Sequence, residues 1–200
     1  MRVAMLGSRG LPAGVGGVER AVQELSRQLV ARGHEVLVYS RRHYAVGAAA
    51  GAGCGRAVLT PGLAWAPLDA LTHTATAAFD VLRRRADVVH VHSPGPALWS
   101  WLPAMGRVPI VLTVHAPDWQ RQRWPLPGRL ALRAGLAVGM RLAGAVTSVS
   151  APLAEELARR FALDVEHVPN GFAPARPQGT DRLERLGLAA GDYALYVGRL

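Results

Sequence analysis

The sequence predicts an α/β protein built on a Rossmann-like, doubly wound parallel sheet, and three observations carry that expectation. First, Arg2–Leu6 (RVAML), a Gly-rich loop, an amphipathic stretch and Glu35–Tyr39 (EVLVY) make a strand–loop–helix–strand unit of about forty residues. Second, Asp87–Val91 (DVVHV) and Pro109–Val114 (PIVLTV) are β-rich and apolar on both faces, as strands between two helical layers are. Third, strand-like and helix-like stretches alternate along most of the chain.

Each element follows from local pattern. The run Arg2–Leu6 ends in glycine, and Gly7–Gly17 is a loop with five Gly and one Pro. From Val18 to Ala31 the apolar Val18, Ala21, Val22, Leu25 and Leu29 recur at helical spacing, with Glu19, Arg20, Gln23, Glu24 and Arg27 between them. Gly33 stops that helix. Ala45–Gly55 reads as a loop and Ala57–Leu59 as a weak strand. Leu68–Arg85 is a helix with Asp69 in its first turn and Arg83, Arg84 and Arg85 in its last, as the helix dipole favours. Gly128–Ala143 and Pro152–Phe161 are helices, the second opened by proline, and Ala145–Val149 and Val165–Val168 are strands. The expected sheet core is Val3, Met5, Val36, Val38, Val111 and Val114. Phe172–Thr180 (FAPARPQGT) reads as a linker. Asp181–Leu186 is a short helix and Tyr193–Val197 a strand that would open a further α/β unit, so the sequence reads as truncated there.

Composition bounds the function classes. Half of the 200 residues are hydrophobic and 18% are charged, enough for a packed core and against global disorder. The net charge is +9, and all 23 basic residues are Arg. One Ile and one Asn stand against many Ala, Gly and Pro, the skew of a GC-rich genome, so abundant Arg is weak evidence for nucleic acid. No recognition motif or aromatic-basic platform supports that partner either. The charge still favours phosphates or an acidic membrane surface. The single Cys54 excludes an internal disulfide framework and a Cys-built zinc site, and fits a reducing cytoplasm. Val88–Gly106 carries no charge but holds His90, His92, Pro94, Pro96 and Pro103, so it reads as strand, loop and short helix rather than a membrane span. The N-terminus lacks the pattern of a signal peptide.

A Gly-rich loop between a first strand and a helix can hold phosphate, because backbone without Cβ approaches an anion closely and free N–H groups point at it. The candidates are Gly14, Gly16 and Gly17; a tight turn without ligand is the alternative. A nicotinamide fingerprint fails, since Glu19 stands at the third glycine position and Ser40-Arg41 replace the expected acidic residue.

Seven stretches in register carry a resemblance. They are GSRGLPAGVGGVERAVQELSRQLVARGHEVLVYSRRHY (Gly7–Tyr44), PLDALTHT (Pro67–Thr74), ADVVHVHSPGPAL (Ala86–Leu98), VLTVHAPDWQRQRW (Val111–Trp124), VTSVSAPLAEEL (Val146–Leu157), VPNG (Val168–Gly171) and YALYVGRL (Tyr193–Leu200). Together they resemble the GT-B glycosyltransferases of family 4, closest to the rhamnosyltransferase-like branch. The resemblance implies two Rossmann-like domains facing a cleft. Residues 1–171 would be the N-terminal acceptor-side domain, 172–180 the linker and 181–200 the start of a donor-binding domain. It implies retaining transfer of a hexosyl or rhamnosyl group from a nucleotide-diphosphate sugar to a glycan or lipid-linked acceptor in cell-surface polysaccharide synthesis. No metal or cofactor is implied, and the location is cytoplasmic, peripheral at the inner face of the membrane. The family's later Lys and carboxylate-rich donor motif are not in these residues, so the chain alone is expected to be inactive. A non-catalytic nucleotide- or sugar-binding module needing a partner chain is the alternative.

Site residues follow from the resemblance together with position. His115 ends a buried strand at its carboxyl side, where α/β sheets bind ligands, and would face the donor sugar and diphosphate; a capping or core histidine is the alternative. Gly14, Gly16, Gly17 and Arg199 would bind the donor diphosphate. Asp118, Trp119 and Arg121, with Arg123 and Trp124, make a charged aromatic loop for the acceptor, or a structural loop with Trp119 packed inside. His92 would line the cleft and His73 approach the acceptor, while His90 is a satisfied core residue. Arg129, Arg133 and Arg141 lie on one side of a helix and suit anionic lipid or plain solvation.

Overall fold

The computed structural model describes residues 1–200 apart from 15, 43, 45–52, 64–67, 123, 172–178, 190 and 197–200. Two compact units divide the chain, Met1–Asn170 and Gly171–Leu200.

The first unit is the doubly wound sheet. Its strands are β1 (Arg2–Leu6), β2 (Glu35–Arg41), β3 (Arg56–Thr60), β4 (Val88–His92), β5 (Ile110–Val114), β6 (Ala145–Ser148) and β7 (Glu166–His167). They lie in the order β3-β2-β1-β4-β5-β6-β7, and every neighbouring pair is parallel. The chain moves outward from β1 to β3 and then returns past β1 to β4, so the direction of winding reverses between β1 and β4. In open α/β sheets that reversal leaves a crevice at the carboxyl ends of the strands.

The helices are α1 (Gly17–Ala31), α2 (Leu68–Arg83), α3 (Pro94–Ala97), α4 (Trp101–Met105), α5 (Leu126–Leu142) and α6 (Ala151–Phe161). Alternate residues of each strand feed opposite layers. Val3, Met5, Val36 and Val38 pack with Val22 of α1, flanked by Leu25 and Leu29. On the other face Ala4, Leu6, Leu37, Val89, Val91 and Leu112 pack with Ala77 and Val81 of α2, Leu136 and Met140 of α5 and Leu157 of α6. Trp119, on a 3-10 turn at Asp118–Gln120, belongs to this second core.

Several boundaries differ from the sequence expectation for physical reasons. β2 runs two residues further, to Arg41, because its end pairs with β3 at Arg41↔Thr60. The stretch after β4 folds as two short helices rather than one. α2 stops at Arg83, and Arg85 takes a left-handed backbone at φ 52°. Val111 is half-buried rather than core, because it lies beside His90 on the α1 side of the sheet, where the strands turn polar.

The second unit contains α7 (Asp181–Glu184), shorter than expected, with Thr180 Oγ1 donating to Glu184 at 2.7 Å. Residues 192–196 form no strand, so the strand expected at Tyr193–Val197 is not made in its described part. A lone extended segment has no ladder to satisfy its backbone, and the described residues of this unit include no strand to supply one. Arg199 and Val197 lie outside the described residues.

Candidate functional site

The loop after β1 is seated against β4 by a close backbone approach. Gly7 has φ 101°, and a Cβ there would lie 2.1 Å from the His92 carbonyl oxygen. Gly10 has φ 139°, with the Ser40 side chain 2.6 Å from where its Cβ would be. Ser40 Oγ accepts from the Leu11 N–H at 3.2 Å, which ties the same loop to β2. These two glycines, rather than the later three, are the ones the backbone demands.

The later glycines have a different character. A Cβ on Gly14 or Gly17 would meet nothing within 4 Å, and neither has a φ in the left-handed range that favours glycine. At Gly16 it would meet only the end of the Glu19 side chain, at 1.9 Å. The α1 start has no side-chain cap, and Glu19 in its first turn folds its carboxylate over Gly16. The helix end that was expected to hold phosphate therefore already holds a negative charge of its own, steadied by Arg9 Nε at 3.8 Å. Open space remains on the Gly14 and Gly17 side. Glu19 was not among the expected site residues; its signal was an acidic residue two positions after the Gly16-Gly17 step.

Beside this loop a polar seam crosses the sheet. Cross-strand register puts His90 and His92 of β4, Thr113 of β5 and Thr147 of β6 on the face shared with Val3 and Met5. His90 Nε2 lies 2.7 Å from Thr113 Oγ1, and Thr113 Oγ1 lies 2.7 Å from Thr147 Oγ1. The His90 and His92 rings stack with centroids 4.1 Å apart. His92 Nδ1 lies 3.1 Å from His115 Nε2, one residue past the end of β5. His90 is thus a satisfied residue, as expected. His92 is 2% exposed and faces His115 from beneath rather than lining an open cleft.

All three imidazoles are held neutral. Burial brings His90 from 6.5 to about 4, helped by repulsion from His115. Burial, then His90 and His115, push His92 well below the ordinary range. Burial also lowers His115, against the opposing pull of the Glu19 carboxylate. A neutral imidazole can donate at one ring nitrogen and accept at the other. Among the described residues no three His, Cys, Asp or Glu side chains converge as a metal site would.

The remaining residues separate. Trp119 is 2% exposed, so its ring is core and offers no face for stacking a sugar; the 3-10 turn points the indole inward where α5 packs. Asp118 and Arg121 stay nearer the surface and pair, Nε to Oδ1 at 3.0 Å. His73 is 1% exposed beneath the Gly62 loop, closed off from an acceptor. Arg123 lies outside the described residues. On α5, Arg129 is half-buried, while Arg133 and Arg141 are exposed on the same side as the exposed Leu126 and Leu130. A cavity of about 200 Å³ lined by Arg2, Glu35, Arg56 and Arg83–Arg85 lies at the amino ends of β1–β3, opposite the end where such sheets bind ligands. No described helix is long and apolar enough to cross a membrane.

Comparison with known proteins adds three findings. The sequence model of the family described as Glycosyltransferase Family 4 matches residues 15–176. No curated protein matches the chain in sequence. Among solved structures, sucrose-phosphate synthase from Thermosynechococcus elongatus superposes with TM-score 0.66 at 20% identity, over 95% of this chain and 53% of its own. HepE from Anabaena, in complex with UDP and glucose, gives 0.63 at 15%, over 94% and 50%. UDP-GlcNAc 2-epimerase from Neisseria meningitidis, bound to UDP-GlcNAc, gives 0.55 at 14%, over 85% and 47%. At these identities the likeness is one of fold, and the chain spans about half the length of each.

Proposed function

The chain belongs to glycosyltransferase family 4, and from that premise we propose that it is the acceptor-side part of a retaining glycosyltransferase. In this reading a hexosyl or rhamnosyl group moves from a nucleotide-diphosphate sugar to a glycan or lipid-linked acceptor, in cell-surface polysaccharide synthesis on the cytoplasmic side. Residues 1–171 form the acceptor-side domain, 172–180 the linker and 181–200 the start of the donor-binding domain, and transfer needs more chain than residues 1–200. The ligands in the HepE and epimerase structures support a nucleotide sugar as donor.

The observation that carries the site is convergence. The Gly-rich loop, Glu19, His92 and His115 come from four elements to the carboxyl ends of β1, β4 and β5. Open space beside Gly14 and Gly17 takes the donor. Glu19 accepts from sugar hydroxyls, and His115, being neutral, hydrogen-bonds an oxygen of the sugar or diphosphate without adding charge. Asp118 and Arg121 stand on the acceptor side. Arg199 is kept as a diphosphate ligand on the resemblance of its motif alone, and no metal or cofactor is assigned.

The test uses an enzyme that includes the donor half. His115→Ala should lower kcat on the order of 10²–10³-fold, the cost of one donor aimed at developing charge, with the melting temperature little changed. Near-wild-type turnover by the folded variant would return His115 to a purely structural role. Screening UDP-, GDP- and dTDP-sugars by product formation identifies the donor, and no transfer from any of them would overturn the reading.

A peripheral membrane contact belongs to the same proposal. Leu126 and Leu130 can enter the headgroup boundary while Arg133 and Arg141 meet anionic lipid. Arg133→Ala with Arg141→Ala should cost about 2 kcal/mol, roughly thirtyfold, in co-sedimentation with phosphatidylglycerol vesicles. Equal binding by variant and wild type, or none by either, would remove the membrane from the reading.

A further inference from the structure

His92 is the most enclosed polar side chain of the seam, and the reading above leaves it without a task. Its Nδ1 meets His115 Nε2 at 3.1 Å, while its Nε2 is buried and has no hydrogen-bond partner among the described residues. One proton is shared out in the contact between these two neutral rings, and it can be placed in two ways.

If His115 donated from Nε2, His92 would accept at Nδ1 and carry its own proton on Nε2. That would be a buried N–H with nothing to receive it. If His92 donates from Nδ1, its Nε2 is a bare lone pair and no donor is orphaned. Buried donors without partners are the rarer and costlier of the two in proteins. The second arrangement has a consequence across the contact. His115 Nε2 must then be the acceptor, so the single proton of its neutral ring sits on Nδ1.

We propose that His92 is a positioning residue that fixes His115 as the Nδ1–H tautomer, so that His115 meets its ligand as a hydrogen-bond donor and not as a base. The partner it selects is an oxygen with lone pairs to offer, such as a diphosphate or sugar oxygen. The identity of that ligand rests on the glycosyltransferase reading; the tautomer does not. Stacking on His90, whose Nε2 is engaged by Thr113, holds the His92 ring plane and with it the direction of the Nδ1–H. Among the described residues the charged and titratable groups that face the pair are His90 on β4 and Glu19 on α1. Sequence alone carries part of this: His92 and His115 each stand at or just past a strand end, in neighbouring parallel strands.

The experiment is long-range ¹H–¹⁵N correlation of the imidazoles in the 200-residue chain labelled at histidine, near neutral pH, with His115 assigned by its loss in His115→Gln. Protonated and bare ring nitrogens resonate far apart, so the tautomer is read directly. The expected result is Nδ1–H at His115 and Nδ1–H at His92. In His92→Leu the His115 signals should move toward a mixture containing Nε2–H. In His92→Asn, whose carboxamide can still donate, Nδ1–H should persist. An Nε2–H tautomer at His115 in the wild type overturns the proposal, and so does a His115 spectrum identical in wild type and His92→Leu. Should His92→Leu fail to fold, the wild-type tautomers and His92→Asn still decide. A failed sugar screen with the Nδ1–H tautomer in place would remove the donor reading and leave this one standing.

Discussion

Gly7→Ala is expected to cost about 4 kcal/mol or more, whereas Gly17→Val should leave stability nearly unchanged and abolish sugar transfer. The contrast follows from backbone geometry. Gly7 sits at φ 101°, which an L side chain tolerates poorly, and the added Cβ would lie 2.1 Å from a backbone carbonyl oxygen of β4. A side-chain neighbour could rotate away, but a carbonyl in a parallel ladder cannot without breaking the strand pairing beside it. Losses of this size come from few mechanisms, and forced backbone displacement is one of them. For a unit of this size the melting temperature should fall by roughly 10 °C.

Gly17 is the opposite case. It opens α1, has no φ in the left-handed range and would place a Cβ in open space. Valine there is neutral to slightly favourable for the helix, since glycine is the poorer helix former by a few tenths of a kcal/mol. Any damage to function then reports ligand in that space. Both variants are to be melted on the 200-residue chain, and Gly17→Val assayed for kcat/KM in an enzyme carrying the donor half. Normal kinetics from Gly17→Val would remove the donor from the loop. A stable Gly7→Ala would mean that the loop does not sit on β4 as described.

The same pair marks how far the sequence could be read. The alternation of apolar runs with amphipathic stretches is local, and it placed β1, α1, β2, β4 and β5 within a residue or two. The Gly-rich loop was legible as a turn between the first strand and helix, but composition could not say which glycine is structural, because that depends on what the loop packs against. His73 and Trp119 failed for the same reason. Each stands where an exposed polar or aromatic residue would suit an acceptor, yet one lies beneath the Gly62 loop and the other in the core with α5. Burial is a property of partners distant in sequence. The seam His90–Thr113–Thr147 needed the register of three parallel strands, which no local pattern contains. The place of His115, one residue past the end of β5, was legible because strand ends are local features.

The seam makes acid stability a sharp property of this unit. His90 titrates near 4 in the folded protein against 6.5 in the open chain, mainly because burial disfavours its charged form. The sign follows directly. As pH falls through 6.5 the unfolded chain takes up a proton that the folded chain refuses, so the unfolded state binds more protons and stability drops with pH. The loss is complete once the folded group also protonates, near pH 4. For His90 alone the gap is worth about 3 kcal/mol. His92 and His115 are shifted the same way and deepen the loss, with Glu19 moderating His115. Glu24, held at about 2 by hydrogen bonds from Arg27 and Gln28, titrates below this window. Urea midpoints of the 200-residue chain should therefore fall steeply between pH 6.5 and 5. His90→Gln supplies the control, because its carboxamide can still bond Thr113 Oγ1 but cannot be protonated in that range. Its midpoint should vary visibly less with pH than that of the wild type. If His90→Gln folds poorly, the His90 ring titration followed by NMR in the wild type gives the same answer. A midpoint constant from pH 7 to 5, or a His90 that protonates near 6.5 in the folded chain, would show that the seam is open to water.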